Sequence, residues 1–291
     1  MIFKGCGVAI TTSFMPNGHV CFDAMAKHIE YLINNKADAI IACGTTGESA
    51  TLSFAEKIAI CQFVVERVNG RIPVIAGSGS NCTSNCIKTT KALEDIGVDG
   101  FMIVTPYYNK ATQSGLVRHY KDIAACTELP IIVYNVPSRT TVNMIPTTVA
   151  ELSKIKNIVG IKEASGDISQ IAEIFAICPK DFAVYSGNDD QILPIIAFGG
   201  VGAISTVGNI VPNKVHEIIE MYTTDPEKSV EIQLEIIDLI KSMFIEVNPI
   251  PIKYALNKME LGTPILRRPL FEIDEQNAKI VDEQLKKHGL I

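Results

Sequence analysis

Short apolar runs recur along this chain, each followed by small or polar residues and then by an amphipathic stretch. Eight of them, at 7–10, 39–42, 74–76, 100–104, 131–134, 158–161, 183–185 and 202–204, read as buried strands. Their starts lie about 20 to 35 residues apart, the length of one strand–helix unit. The segments between them read as helices. One covers 22–35, after the turn Pro16-Asn17-Gly18-His19. Ser53 opens another, with Glu56 three residues on to complete a capping box. A third, 83–96, runs to Gly97, a residue suited to closing a helix.

Strands alternating with helices imply a parallel sheet, and eight such units favour a closed (β/α)8 TIM barrel of the α/β class over an open doubly wound sheet. In that arrangement 212–222 is the last barrel helix. Residues 1–224 then form the catalytic barrel and 225–291 a C-terminal helical appendage, with helical periodicity at 229–244 and 251–261.

Composition narrows the function. The 291 residues are 47% hydrophobic and 20% charged, which suits a large core and excludes a disordered chain. Net charge is −6, and no basic run interleaved with aromatics occurs, so nucleic acid is not an expected partner. The start of the chain does not read as a secretory signal, and no apolar window reaches the ~18 residues of a membrane span, so the expected location is the cytoplasm. The eight cysteines are scattered; Cys82 and Cys86 are close but lack a second cluster, and free thiols are expected. The five histidines are dispersed, so no metal is expected. Gly200-Val201-Gly202 leads into a strand rather than out of one, which disfavours a dinucleotide site.

In a barrel, catalytic groups gather where strands end. Lys162 is the sharpest candidate: of the twenty lysines it is the one at the end of an apolar strand, Ile158-Val159-Gly160-Ile161-Lys162. Alternation places Ile158, Gly160 and Lys162 on one face, with Gly160 leaving room beneath the lysine and Glu163 turned away. A desolvated amine without a partner loses proton affinity and can attack a carbonyl, although a lysine packed by its stem with a solvated head gives the same pattern. Tyr134 ends the preceding strand and could relay protons, or simply pack. Thr45 and Thr46 sit between glycines before a helix, where hydroxyls and N–H groups can hold a carboxylate; turn formation alone would also explain them. Arg139, one of six arginines, could grip a carboxylate bidentately or form a surface ion pair. Tyr107 and Tyr108 form an aromatic pair suited to packing or an interface.

These pieces together resemble the dihydrodipicolinate synthase family of pyruvate-dependent class I aldolases. The resemblance runs from Gly7 to about Leu290 through Gly44-Thr-Thr-Gly-Glu-Ser-Ala-Thr-Leu52, Val104-Thr-Pro-Tyr-Tyr-Asn109, Tyr134-Asn-Val-Pro-Ser-Arg-Thr140, Gly160-Ile-Lys-Glu-Ala164 and Asn248-Pro-Ile-Pro-Ile-Lys253. It implies a homotetramer of two tight dimers that condenses pyruvate with L-aspartate 4-semialdehyde to 4-hydroxy-tetrahydrodipicolinate, on the diaminopimelate route to lysine. No cofactor is implied beyond the pyruvate imine itself, carried on Lys162. The resemblance also implies that Thr46, with Thr45, binds the pyruvate carboxylate. Tyr134, Thr45 and Tyr108 would relay protons, with Tyr108 reaching the neighbouring subunit's site. Arg139 would orient the semialdehyde carboxylate, and Gly187 and Ile204 would line the pocket. A lysine-effector cleft would fall at Ser49, Ala50, Phe54, Lys57, Asn81, Asn85 and Tyr107. There the sequence departs from strongly inhibited relatives, which carry a glutamate at the position of Asn85 and a histidine at that of Lys57. Competing readings are N-acetylneuraminate lyase and the 2-keto-3-deoxy sugar acid aldolases, or a silent barrel that senses pyruvate.

Overall fold

The computed structural model describes residues 1–291. Its eight strands are β1 (Gly5–Ala9), β2 (Ala39–Ala42), β3 (Val74–Gly77), β4 (Gly100–Val104), β5 (Ile131–Asn135), β6 (Ile158–Glu163), β7 (Ala183–Ser186) and β8 (Gly202–Ser205). They pair in sequence order, all parallel, and β8 closes on β1. The fold is the expected (β/α)8 barrel. Alternation along the strands gives two apolar layers. Ala9, Ile41, Ile75, Met102, Ile132, Tyr134, Tyr185 and Ile204 pack inside the barrel. Val8, Ile40, Val74, Ile103, Val133 and Ile161 pack outward under the helices.

The helix starts follow local chemistry. Ser53 Oγ accepts the Glu56 N–H at 3.3 Å, and the Glu56 carboxylate accepts the Ser53 N–H at 2.8 Å, which closes the expected capping box on the helix Phe54–Val68. The third predicted helix is shorter than its pattern, Thr83–Glu94, and Gly97 sits past its end at φ 89°.

After the last barrel helix, Pro212–Met221, come four more: Pro226–Glu235, Ile237–Met243, Ile250–Lys258 and Glu275–Lys287. The single helix expected at 229–244 is therefore two, broken at Ile236, where φ −92° and ψ 4° leave the helical region. Both halves bury the same apolar side, through Ile232, Leu239, Ile240 and Met243, so the hydrophobic period runs unbroken across the bend and hides it. The helix Ile250–Lys258 was expected at 251–261.

One expectation on β6 is corrected. Ile131 pairs with Ile158 but Ile132 with Gly160, so the register slips past Val159. That bulge resets the alternation. Ile158 consequently joins Ile161 in the outer layer instead of sharing the face of Lys162.

Candidate active site

Lys162 ends its apolar strand with a side chain only 5% exposed. It stands level with Tyr134 on β5 and Tyr185 on β7. Its Nζ lies 4.5 Å from the centre of the Tyr134 ring and forms no ion pair. Burial lowers its pKa to about 8; the Asp189 charge pulls the other way and the Arg139 charge adds to the lowering. A useful fraction of the amine is thus free near neutral pH, as a nucleophile requires.

The room for this side chain comes from Gly187 and not from Gly160. A Cβ on Gly187 would stand 2.6 Å from Ala164 Cβ and 3.1 Å from Lys162 Cε. A Cβ on Gly160 would instead strike the Ala183 carbonyl oxygen at 2.5 Å, so that glycine serves the close approach of β6 to β7. Glu163 does turn away from the barrel interior. Its buried carboxylate accepts from Asn135 Nδ2 at 3.1 and 3.2 Å and from the Ser165 N–H at 2.7 Å, tying the ends of β5 and β6 together behind the Tyr134–Lys162 pair.

Above the lysine a cavity of about 360 Å³ is lined by Thr45, Tyr134, Arg139 and Asn248 among others. Lys162, Thr46, Gly187 and Ile204 are not among the residues of its wall; Lys162, Thr46 and Ile204 are buried, and Gly187 is partly exposed. Burial raises the Tyr134 pKa, while the Arg139 charge and a hydrogen bond with Thr45 oppose the rise. Thr46 Oγ1 is buried, accepts from Asn248 Nδ2 at 2.9 Å and stands 3.5 Å from Thr206 Oγ1. Arg139 sits in the one-turn helix Pro137–Thr140, exposed, with an Nη2 donating to the Asn248 carbonyl at 3.2 Å. Asn248 thereby links the threonine and arginine loops.

Three features have no role assigned from the sequence, although Asp189 and Glu48 stand in loops that follow strands. Asp189, fully buried after β7, accepts the N–H groups of Thr206 and Val207 at 3.1 and 2.8 Å, and its charge acts on Lys162. Asn248 stood in a recognised motif but without a role. The third is a buried ion pair: Lys253 Nζ meets Glu48 Oε1 at 2.6 Å, both side chains nearly inaccessible. Glu48 also accepts the Arg267 N–H at 2.9 Å, so the appendage grips the Gly44–Glu48 turn from behind. Spacing of about two hundred residues hides such contacts from periodicity.

Tyr108 projects outward, 89% exposed with φ 72°, and does not line the cavity of its own chain. Of the candidate effector positions, Ser49, Ala50, Lys57 and Tyr107 line the same cavity as Thr45. Asn81 Nδ2 donates to the Tyr107 carbonyl at 3.2 Å, Phe54 is partly exposed beneath Lys88, and Asn85 is exposed.

The model of the dihydrodipicolinate synthetase family matches residues 2–288. The chain belongs to that family. Among similar members, the 4-hydroxy-tetrahydrodipicolinate synthase of Thermoanaerobacter sp. (strain X514) is 49% identical over 292 residues, covering 100% of this chain and 98% of that protein. The enzyme of the same name from Clostridium tetani is 49% identical, covering 100% and 99%. Among solved members of the family, the dihydrodipicolinate synthase of Thermotoga maritima superposes with a TM-score of 0.98 at 42% identity, covering 100% of both chains. The enzyme of Cyanidioschyzon merolae with lysine bound gives 0.97 at 36%, covering 100% and 99%. No helix is long and apolar enough to cross a membrane.

Proposed function

We propose that this chain is a 4-hydroxy-tetrahydrodipicolinate synthase, a lyase of lysine biosynthesis that condenses pyruvate with L-aspartate 4-semialdehyde through an imine on Lys162. The observation that carries the mechanism is the lysine amine, buried without an ion-pair partner against Tyr134, with Gly187 opening the space beside it.

The free amine attacks C2 of pyruvate, and the resulting carbinolamine loses its oxygen as water. Tyr134, which shares the cavity wall with Thr45, is placed to move the protons that this exchange requires. The hydroxyl of Thr46 receives a hydrogen bond from Asn248, which leaves its own proton for the pyruvate carboxylate. The protonated imine draws electrons from C3, a proton leaves, and the enamine carbon attacks the aldehyde. The acceptor's amino group then displaces Lys162 from C2, closing the ring and freeing the enzyme. Arg139 at the cavity wall suits an acceptor bearing a carboxylate. Long polyhydroxylated aldehydes would need hydroxyl-binding groups where Pro137, Ser138 and Arg139 stand.

Tyr108, exposed on its own chain, would complete the proton relay of a neighbouring subunit in a tight dimer, two of which would form a tetramer. One structural neighbour is a monomeric dihydrodipicolinate synthase variant (TM-score 0.98, 42% identity), so assembly needs its own measurement by sedimentation. The enzyme would work in the cytoplasm and need no cofactor. Parallel assays of pyruvate with L-aspartate 4-semialdehyde, N-acetylmannosamine and glyceraldehyde test the assignment. The semialdehyde should be consumed far faster; a sugar acceptor preferred over it would assign the chain to another aldolase branch, and no turnover with any acceptor would leave a pyruvate-binding barrel.

A further inference from the structure

Two cysteines stand together beside the catalytic loop, and the chemistry above uses neither. Cys43 follows β2 and immediately precedes Gly44, Thr45 and Thr46; it adopts a left-handed backbone, φ 55°. Cys61 lies in the buried face of the helix Phe54–Val68. Their Sγ atoms are 3.8 Å apart, with the Cys61 thiol donating to Cys43. Cys43 also lines the active-site cavity, while Cys61 is sealed behind it with no exposure. The other cysteines lack this combination of a close thiol partner and a path from solvent.

We propose that Cys43 and Cys61 form an oxidisable dithiol in the wall of the active-site cavity, closing to a disulfide when a small hydroperoxide enters. The cavity admits the oxidant to Cys43 alone. Cys61, sealed from the cavity but 3.8 Å from the Cys43 sulfur, cannot meet the oxidant first and is therefore the resolving thiol. In the first step the Cys43 sulfur attacks the peroxide oxygen, the O–O bond breaks, and Cys43–SH plus ROOH gives Cys43–SOH plus ROH. In the second, the Cys61 sulfur displaces hydroxide from Cys43–SOH, giving Cys43–S–S–Cys61 and water. Sulfur loses two electrons overall and the peroxide gains them.

A disulfide requires the sulfurs at about 2.05 Å, so the pair must close by about 1.8 Å from its present 3.8 Å. That movement draws the end of β2 toward the helix and carries Thr45 and Thr46 with it. Displacing catalytic groups on the order of 1 Å costs on the order of a hundredfold in rate. The bond itself does not depend on the reaction assigned above; only its effect on turnover rests on that reading.

Trypsin places the two cysteines in separate peptides, residues 37–57 and 58–67, each with a single cysteine. The full-length enzyme is treated with hydrogen peroxide, alkylated, digested and mapped by mass spectrometry, with activity followed in parallel. The expected result is a linked pair of these peptides, two hydrogens lighter than their sum, with activity lost about ten- to a hundredfold and restored by dithiothreitol. Cys61→Ala should keep its activity before treatment and give no linked pair. Exposed Cys82, whose thiol pKa is lowered by hydrogen bonds from Ser84 and Asn85, should also oxidise, but in a different peptide. Cys43 and Cys61 both remaining alkylatable while Cys82 is oxidised would overturn the proposal, whether or not the assigned reaction is right. A linked pair with unchanged turnover would overturn its effect on the active site.

Discussion

Tyr134 and Lys162 occupy paired positions on β5 and β6, and the lysine amine sits 4.5 Å from the tyrosine ring centre. The aromatic face shields the amine from water while keeping it beside a hydroxyl that can carry protons. No carboxylate pairs with the amine directly; Asp189 acts on it only through its field. This is a site built to keep a lysine partly neutral, and that has a measurable cost.

Because burial lowers the Lys162 pKa to about 8 from an unfolded value of about 10.4, the charged amine destabilises the fold at neutral pH by about 3 kcal/mol. Below pH 8 both states hold the proton and the penalty is complete. Between about 8 and 10.4 the unfolded chain holds more protons, so stability rises with pH through that window. Lys162→Met should therefore unfold at higher denaturant than the wild type at pH 7, with the gap closing by pH 10. A gap independent of pH would show that the lysine is not titrating as described.

Arg139 donates to the Asn248 carbonyl and lines the cavity, and it acts on Lys162 only through its charge. Arg139→Ala should lower kcat/KM for aspartate semialdehyde about a hundredfold or more, the loss of a charge-assisted bidentate contact, while pyruvate still forms its imine. Steady-state kinetics alongside single-turnover trapping separate the two. An unchanged kcat/KM would remove the carboxylate role.

The Lys253–Glu48 pair, behind the Thr45–Thr46 turn, predicts a stability effect. Lys253→Met leaves a buried carboxylate unpaired and should cost about 3–5 kcal/mol. Adding Glu48→Leu should recover a good part of that loss. Urea denaturation of the single and double variants checks it, and two independent, additive losses would contradict the pairing.

Much of this was legible beforehand. β2 and β4 have the bounds their apolar runs suggest, while β5, β6, β7 and β8 each extend one or two residues further. Those extra residues, Asn135, Lys162, Glu163, Ser186 and Ser205, are polar because they end strands at the catalytic rim, so a hydrophobicity pattern stops short of them. Lys162 itself was visible as a charge closing an apolar strand. The bulge at Val159, the break at Ile236 and the reach of Asn248 to Thr46 were not, since each arises from tertiary packing that leaves the local pattern intact.

The candidate effector cleft carries a neutral Asn85 and a positive Lys57. A missing charge-assisted hydrogen bond to the effector's ammonium should weaken lysine binding about ten- to a hundredfold. Millimolar lysine should leave most activity intact at saturating pyruvate. Strong inhibition below that range would mean that Lys57 grips the effector's carboxylate instead.

The central claim is the imine on Lys162. Borohydride added with pyruvate should attach one reduced pyruvate per chain, and peptide mapping should find it on Lys162 alone, with formation accelerating as pH rises toward about 8. Label on a different lysine, or no label at all, would contradict the account.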